Sequence, residues 1–355
     1  MYPFSESVFA ARNQWYVAAW SHEVGRTLLE RWILNEPVVL YRTEEGKPVA
    51  IAGRCPHRHF PLGKGKLVGD TVECGYHGFT FAADGSCVRI PTQPTIPASC
   101  RIKAYPLVQR WEWLWIWMGD PALADESLIP DHYKIGLEDP DFLAVPCCYF
   151  DVAGRYQLLN DNLLDLSHLA YLHQTSIGTE EIAEVTEQRA EGEGWIGTRR
   201  KFHNIGCPPF FAGVFRYDGR IDREFGLDYL LPCLHVGFDE FSRVGSDPHH
   251  PGAHLGRINV YHAVTPGKLH TANYFFAVGR NFAKTEQMTQ EMLPGLQAVL
   301  REDVFATEAI EALLRDLGEI PHEFHVRGDS HAAKGRRLLE EMIQQEQANT
   351  LAKTA

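Results

Sequence analysis

Two short segments in the first quarter of the chain, Cys55-Pro56-His57-Arg58 and Cys74-Gly75-Tyr76-His77, leave few folds open; sixteen residues separate His57 from Cys74. Each segment offers one thiol and one imidazole within reach of one metal centre. Each also lies beside stretches that read as strand hairpins, so two turns clamp whatever they bind. Zinc is the ordinary occupant of two Cys and two His, but zinc sites usually pair Cys with Cys and His with His. The mixed order here suits a [2Fe–2S] cluster in which Cys55 and Cys74 bind one iron while His57 and His77 bind the other. Neutral imidazole in place of thiolate removes negative charge and raises the reduction potential. The other Cys (Cys87, Cys100, Cys147, Cys148, Cys207 and Cys233) are scattered and read as small core residues.

The first third of the chain alternates strand-like runs with turns. Val38–Tyr41 and Val49–Ala52 flank Glu44-Glu45-Gly46-Lys47, and Gly75–Phe81 and Cys87–Ile90 flank Ala83-Asp84-Gly85, a hairpin signal. After Leu114-Trp115-Ile116-Trp117, the breaker Gly119-Asp120-Pro121 marks a boundary, giving domains at 1–120 and 121–355. Beyond it, Asp161–Leu172 reads as helix, Asn259–His262 and Ala272–Val278 as strands, Met288–Leu317 as helical with Pro294 as a helix-start signal, and Arg336–Gln347 as a charged helix. The expected fold class is α+β: a small β domain followed by a larger α+β domain. A net charge of −12 argues against nucleic acid or anionic lipid as partner. The chain shows no membrane-spanning run and, over residues 1–20, no secretory leader. Eight Cys in 355 residues is too few for a disulfide scaffold, which points to reduced thiols and a cytoplasmic protein.

A second cluster of polar groups interrupts the apolar segment Asn160–His173, which holds Asp161, Asn162, Asp165, His168 and His173. Buried without partners, these groups would cost several kcal/mol, roughly 2–7 each. His168 and His173 are five residues apart, about 140° around an ideal helix, so a π-type bulge or other irregularity is expected between them. Two His with one carboxylate leave positions open for dioxygen and suit mononuclear Fe(II). Spacing alone does not choose the carboxylate: Glu302, Asp303, Glu308 and Glu311 all lie on one expected helix.

With both constellations in view, the sequence resembles the Rieske non-haem iron oxygenases, in particular their vanillate and dicamba O-demethylase branch. The cluster loops carry the likeness, along with Asn13–Ala19, Trp117–Pro121, His173–Glu181, Arg280-Asn281-Phe282 and Arg301-Glu302-Asp303. His59 stands where many members have Gly, and Gly75 where many have Pro. The resemblance implies an all-β Rieske domain followed by an α+β catalytic domain with an antiparallel sheet. It selects Asp303 as third iron ligand, and Asp165 as the bridge from a cluster His to an iron-bound His across a subunit interface of a homotrimer. Asn162 is implied near the iron without being a firm ligand. His235 and His262 fall where relatives hold a substrate carboxylate. The resemblance implies electrons from a separate NAD(P)H-dependent flavin and iron–sulfur reductase, in keeping with a sequence in which no Gly-rich dinucleotide fingerprint follows a strand. The implied function is O-demethylation of a methoxylated aromatic acid with O2. The alternatives are ring hydroxylation, or hydroxylation or N-demethylation of another substrate, by the same two metal centres.

Overall fold

The computed structural model describes residues 9–245, 253–318 and 321–354; the expectation of no leader concerns a segment whose first eight residues lie outside these. The chain groups into two compact units. Among the described residues, one comprises 9–129, 265–269 and 346–354, the other 130–245, 253–264, 270–318 and 321–345. The short turns Pro121–Leu123 and Glu126–Leu128 therefore fall with the first unit.

The first unit is built of three small sheets. Trp15–Trp20 pairs antiparallel with Trp113–Trp117, and the register sets Trp15 opposite Trp117 and Trp20 opposite Trp113. A four-stranded sheet runs through Leu29–Ile33, Glu36–Arg42, Pro48–Ala52 and Ala104–Tyr105. A second four-stranded sheet runs through Lys66–Val68, Thr71–Glu73, Thr80–Phe81 and Cys87–Arg89. Val39, Tyr41, Ile51, Leu62, Val72 and Phe81 close a core that also takes in Cys55, Cys74 and Cys87.

The two metal-motif loops share one backbone plan. In the first, the Cys55 amide donates to Phe60 O and the His59 amide to Cys55 O. In the second, the Cys74 amide donates to Phe79 O and the Gly78 amide to Cys74 O. The fifth residue of each loop is left-handed, His59 at φ 58° and Gly78 at φ 70°. This explains why Gly suits the position His59 occupies: a side chain there costs roughly 1–2 kcal/mol. His59→Gly is expected to raise stability by about 0.5 kcal/mol, because relief of strain is partly offset by a freer unfolded chain. A higher denaturant midpoint at unchanged m-value is the readout. A lower midpoint would mean that the His59–Arg54 contact at 3.5 Å outweighs the strain.

The second unit is a seven-stranded sheet in the order Leu143–Val152, Ala272–Arg280, His254–Pro266, Leu234–Arg243, Arg220–Leu230, Trp195–Gly206, Gln188–Gly192. Pairing is antiparallel between Leu143–Val152 and Ala272–Arg280 and from His254–Pro266 through to Gln188–Gly192. Ala272–Arg280 is buried at every residue, as a strand covered on both faces must be. The α-helices are α1 (Tyr156–Leu164), α2 (Pro209–Phe215), α3 (Glu286–Leu317) and α4 (Ser330–Thr354). Thr285 caps α3 by accepting the Met288 amide, and Gly318 ends it in the left-handed region. Pro294, expected to open this helix, lies inside it, since the Thr285 cap starts it earlier. The buried stripe of α3 runs Met292, Leu296, Val299, Leu300, then turns polar at Asp303, Thr307 and Glu311.

The helix expected over Asp161–Leu172 breaks within that span, and the irregularity expected near the two histidines takes the form of a 3-10 turn rather than a π-bulge. α1 stops at Leu164, and Asp165 adopts extended dihedrals of −110° and 91°. Its carboxylate accepts the Ser167 amide at 2.9 Å and caps a 3-10 turn, Leu166–Ala170. Asp competes with helix continuation through such local bonds.

Candidate metal centres and substrate cavity

In the first unit, the Cys55 and Cys74 side chains point into the core while His57 and His77 are exposed. The two imidazole rings stand 4.5 Å apart between centroids, and His57 stacks on Phe79 at 4.7 Å. Burial pushes the Cys55 thiol up to about 11, and the neighbouring Cys74 adds to this; the backbone N–H groups of His57 and Arg58 point at the sulfur and favour the thiolate. Amides aimed at a buried sulfur beside a second thiol fit a cluster ligand. Cys55 and Cys74 would hold the inner iron, His57 and His77 the outer one. When bound, such a cluster carries one electron at a time.

In the second unit, the break after α1 resolves the awkward five-residue spacing. His168 sits on the 3-10 turn and His173 on the turns that follow, with ring centroids 5.1 Å apart. Gly178 lets this segment close: a Cβ there would lie 1.8 Å from Leu169 O. The polar turn of α3 brings in Asp303, whose Oδ1 lies 3.4 Å from His168 Nε2 and 3.0 Å from His173 Nε2. Ligand atoms of the three residues fall within 4.8 Å of one another.

The outer nitrogens fix the tautomers. His168 Nδ1 donates to the backbone carbonyl of Asp165 at 2.5 Å, and His173 Nδ1 to Glu302 Oε2 at 2.5 Å. With Nδ1 satisfied in this way, each imidazole would present an Nε2 lone pair to a divalent ion that took the place of the proton shared with Asp303. Burial opposes charge on Asp303, but hydrogen bonds from His168 and His173 hold its carboxyl far below the usual carboxylate range. His173, Asp303 and His168 fit an Fe(II) that keeps open positions for dioxygen.

Asp165 orients His168 through its main-chain oxygen, while its carboxylate accepts the Ser167 amide. Glu302, one of the four carboxylates spacing left open, supports His173 from behind. Glu311 is committed to Arg155, whose Nη2 donates to its Oε1 at 2.7 Å, and Glu308 accepts the Ala153 amide. Asn162 Oδ1 is buried with no partner among the described residues.

A cavity of about 120 Å³ opens onto the His168–His173–Asp303 centre. Leu163, Leu166, Phe225, Phe238, Val260, Phe276 and Leu300 make its walls largely apolar. His262 lines it, with Nδ1 paired to the Tyr274 hydroxyl at 2.5 Å, so Nε2 is left for the cavity. His235 faces His262 across the sheet but does not reach the cavity. It is fully buried, stacked on Tyr229 at 4.2 Å, with Nε2 2.8 Å from Asn160 Oδ1. Two wall residues that the sequence reading passed over are Arg223 and Asp239, an ion pair joined by contacts of 2.9 and 2.6 Å. The strand alternation Ile221, Arg223, Phe225, Leu227, Tyr229 carries the signal: a charge on the apolar face.

A thiol–imidazole cluster site in a β unit and a two-histidine, one-carboxylate centre under an apolar cavity together define an oxygenase of the Rieske non-haem iron class. Residues 14–106 match the Rieske [2Fe-2S] domain, and residues 152–345 match the vanillate O-demethylase oxygenase C-terminal domain. The chain belongs to the vanillate O-demethylase oxygenase family, and its cofactors are a Rieske [2Fe–2S] cluster and a mononuclear non-haem iron. Over its length it is similar to the toluene-4-sulfonate monooxygenase system iron-sulfur subunit TsaM1 of Comamonas testosteroni, at 37% identity covering 96% of this chain and 99% of the relative. It is similar to the vanillate O-demethylase oxygenase subunit of a Pseudomonas strain at 31% identity, covering 95% and 96%. The crystal structure of dicamba monooxygenase bound to 3,6-dichlorosalicylic acid superposes with a TM-score of 0.84 at 32% identity, covering 95% and 98% of the two chains. The protein is thus a terminal oxygenase component, and no helix among the described residues is long and apolar enough to cross a membrane.

Proposed function

We propose that this oxygenase O-demethylates a methoxylated aromatic acid. The observation that carries the reading is the apolar cavity ending on the His168–His173–Asp303 centre, which seats a ring and exposes one substituent to the metal. The names of the relatives share a chemical theme: vanillate and dicamba carry a methoxy group on an aromatic acid, and toluene-4-sulfonate a ring methyl. One oxygen atom of O2 enters the methyl C–H bond, and the hemiacetal collapses to a phenol and formaldehyde. The second oxygen leaves as water, with two electrons and two protons. Systems of this kind draw those electrons from a separate reductase; we assign it flavin and iron–sulfur centres and NAD(P)H as donor. The chain's own part is to exclude water through its apolar walls, to orient the ring, and to offer His262 Nε2 to a polar substituent.

We further propose a homotrimer in which each cluster serves a neighbour's iron through Asp165. Asp165 and Asn162 open with His168 onto a surface groove that also exposes Phe324 and His325, which supports a partner surface there.

Turnover of 4-methoxybenzoate and of toluene-4-sulfonate with a reductase decides the reaction. Formaldehyde in proportion to oxygen consumed is the expected result. A benzylic alcohol from toluene-4-sulfonate without turnover of the methoxybenzoate would favour ring-methyl hydroxylation, the reading the 37% identical relative supports. A cis-diol or ring phenol without formaldehyde would overturn both in favour of ring hydroxylation.

A further inference from the structure

An anionic substrate in an apolar cavity needs a positive group; of the two histidines expected to supply it, His235 does not line the cavity, and burial disfavours charge on both. Burial pushes His262 down to about 4, and His235 well below its ordinary value. Among the described residues lining the cavity, Arg223 is the one arginine or lysine. Its side chain is 1% exposed, and its Cζ lies 5.1, 4.7 and 5.5 Å from the ring centres of Phe211, Phe225 and Phe241.

The guanidinium is held but not used up. Nε donates to Asp239 Oδ1, Nη2 to Asp239 Oδ2, and Nη1 to the Ile177 carbonyl at 2.9 Å. Arginine has five N–H groups, so one on Nη1 and one on Nη2 remain. A buried ion pair is often no more stable than apolar residues of the same volume. Stability alone is therefore a poor reason for a guanidinium in an otherwise greasy wall, whereas charge-assisted N–H donors recognise oxyanions well. The placement also suits a ring. Asp239 stands four residues from His235 on one strand, and its cross-strand partner Ile258 stands four residues from His262. About 13 Å of strand thus separates the Arg223–Asp239 pair from His262, at 3.2–3.4 Å per residue.

We propose that Arg223, positioned by Asp239, binds the oxyanion of the substrate, a carboxylate or sulfonate carried across the ring from the reacting methyl carbon. This rests on the reading of the substrate as an aromatic acid and names the group that selects it. His262 then contributes a neutral hydrogen bond rather than the charge.

The test uses the holoenzyme and compares dissociation constants, by calorimetric titration, for toluene-4-sulfonate and 4-methoxybenzoate with those for the uncharged toluene-4-sulfonamide and 4-methoxybenzamide. The double variant Arg223→Met with Asp239→Leu removes both charges and keeps volume, and intact cluster absorbance and iron content report that it is folded. The expected result is a loss of about ten- to a hundredfold in affinity for the acids, with the amides within twofold of wild type, as for one charge-assisted hydrogen bond lost. The larger loss of the two acids tells which oxyanion the site prefers. An acid-over-amide preference that survives in the folded double variant overturns the proposal and leaves Arg223 a structural ion pair. Should the double variant not fold, Arg223→Lys keeps the charge but loses the fork, and an acid-over-amide preference equal to wild type would overturn the proposal equally. A wild-type enzyme that prefers the amides, or binds none of the four, overturns the aromatic-acid reading itself, a result distinct from either.

Discussion

Asp303→Ala is expected to abolish turnover and remove the mononuclear iron while leaving the visible spectrum of the [2Fe–2S] cluster unchanged. Among the described residues, Asp303 is the one carboxylate whose oxygen meets both Nε2 atoms, at 3.4 and 3.0 Å. Without it two neutral imidazoles remain, too few to hold a divalent ion in a buried site. The loss should exceed the roughly ten- to hundredfold typical of outer-shell partners. Glu302→Gln provides the contrast. A Gln oxygen can still accept from His173 Nδ1, so iron should be retained with affinity lowered by about that ten- to hundredfold. Iron content and turnover of the two variants are the measurements. Full iron and activity in Asp303→Ala, with both lost in Glu302→Ala, would exchange the roles assigned to the two carboxylates.

Asp165→Asn is expected to slow turnover by about ten- to a hundredfold, the range of a charged partner outside the ligand set, without loss of either metal. The structure makes this substitution selective. Asn still accepts the Ser167 amide that caps the 3-10 turn, and the bond to His168 Nδ1 comes from the main-chain carbonyl, which the substitution leaves in place. Fold and iron ligation are therefore spared, and what is lost is the negative charge in the groove. Reoxidation of a pre-reduced cluster by O2 in the presence of substrate should slow by the same factor as turnover. Mixed assemblies of Cys74→Ala and Asp303→Ala chains should regain activity, since some interfaces then pair an intact cluster with an intact iron. Unchanged reoxidation in Asp165→Asn, together with no recovery in the mixed assemblies, would remove Asp165 from the electron path.

Strand positions such as Val38–Tyr41 and Leu114–Trp117 were legible because short strands between turn signals declare themselves locally, and both fall inside observed strands. The extent of the first helix was not. Its apolar spacing continues through Leu166, Leu169 and Leu172, but Asp165 gains more by capping a new turn than by extending the old helix. The same local competition places the two imidazoles side by side in spite of their five-residue separation. Pro294 misled for the opposite reason: a capping threonine upstream decides where a helix begins, and a proline within a long helix packed along a sheet is tolerated.

The sequence by itself singled out Cys55, His57, Cys74 and His77 as candidate cluster residues and His168 and His173 as a candidate iron-binding pair, because residues a few positions apart are constrained by the backbone that joins them. Only the tertiary structure decided the rest of the site. Asp303 lies 130 residues from His173, and the neighbouring Glu302 turns to the opposite nitrogen of the same ring. Strand register sets Arg223 and Asp239 beside each other in the cavity wall, while His235 is sealed behind Tyr229. Such pairings depend on which faces of distant strands and helices meet. That is settled by burial of the whole apolar surface at once, and no spacing along the chain records it.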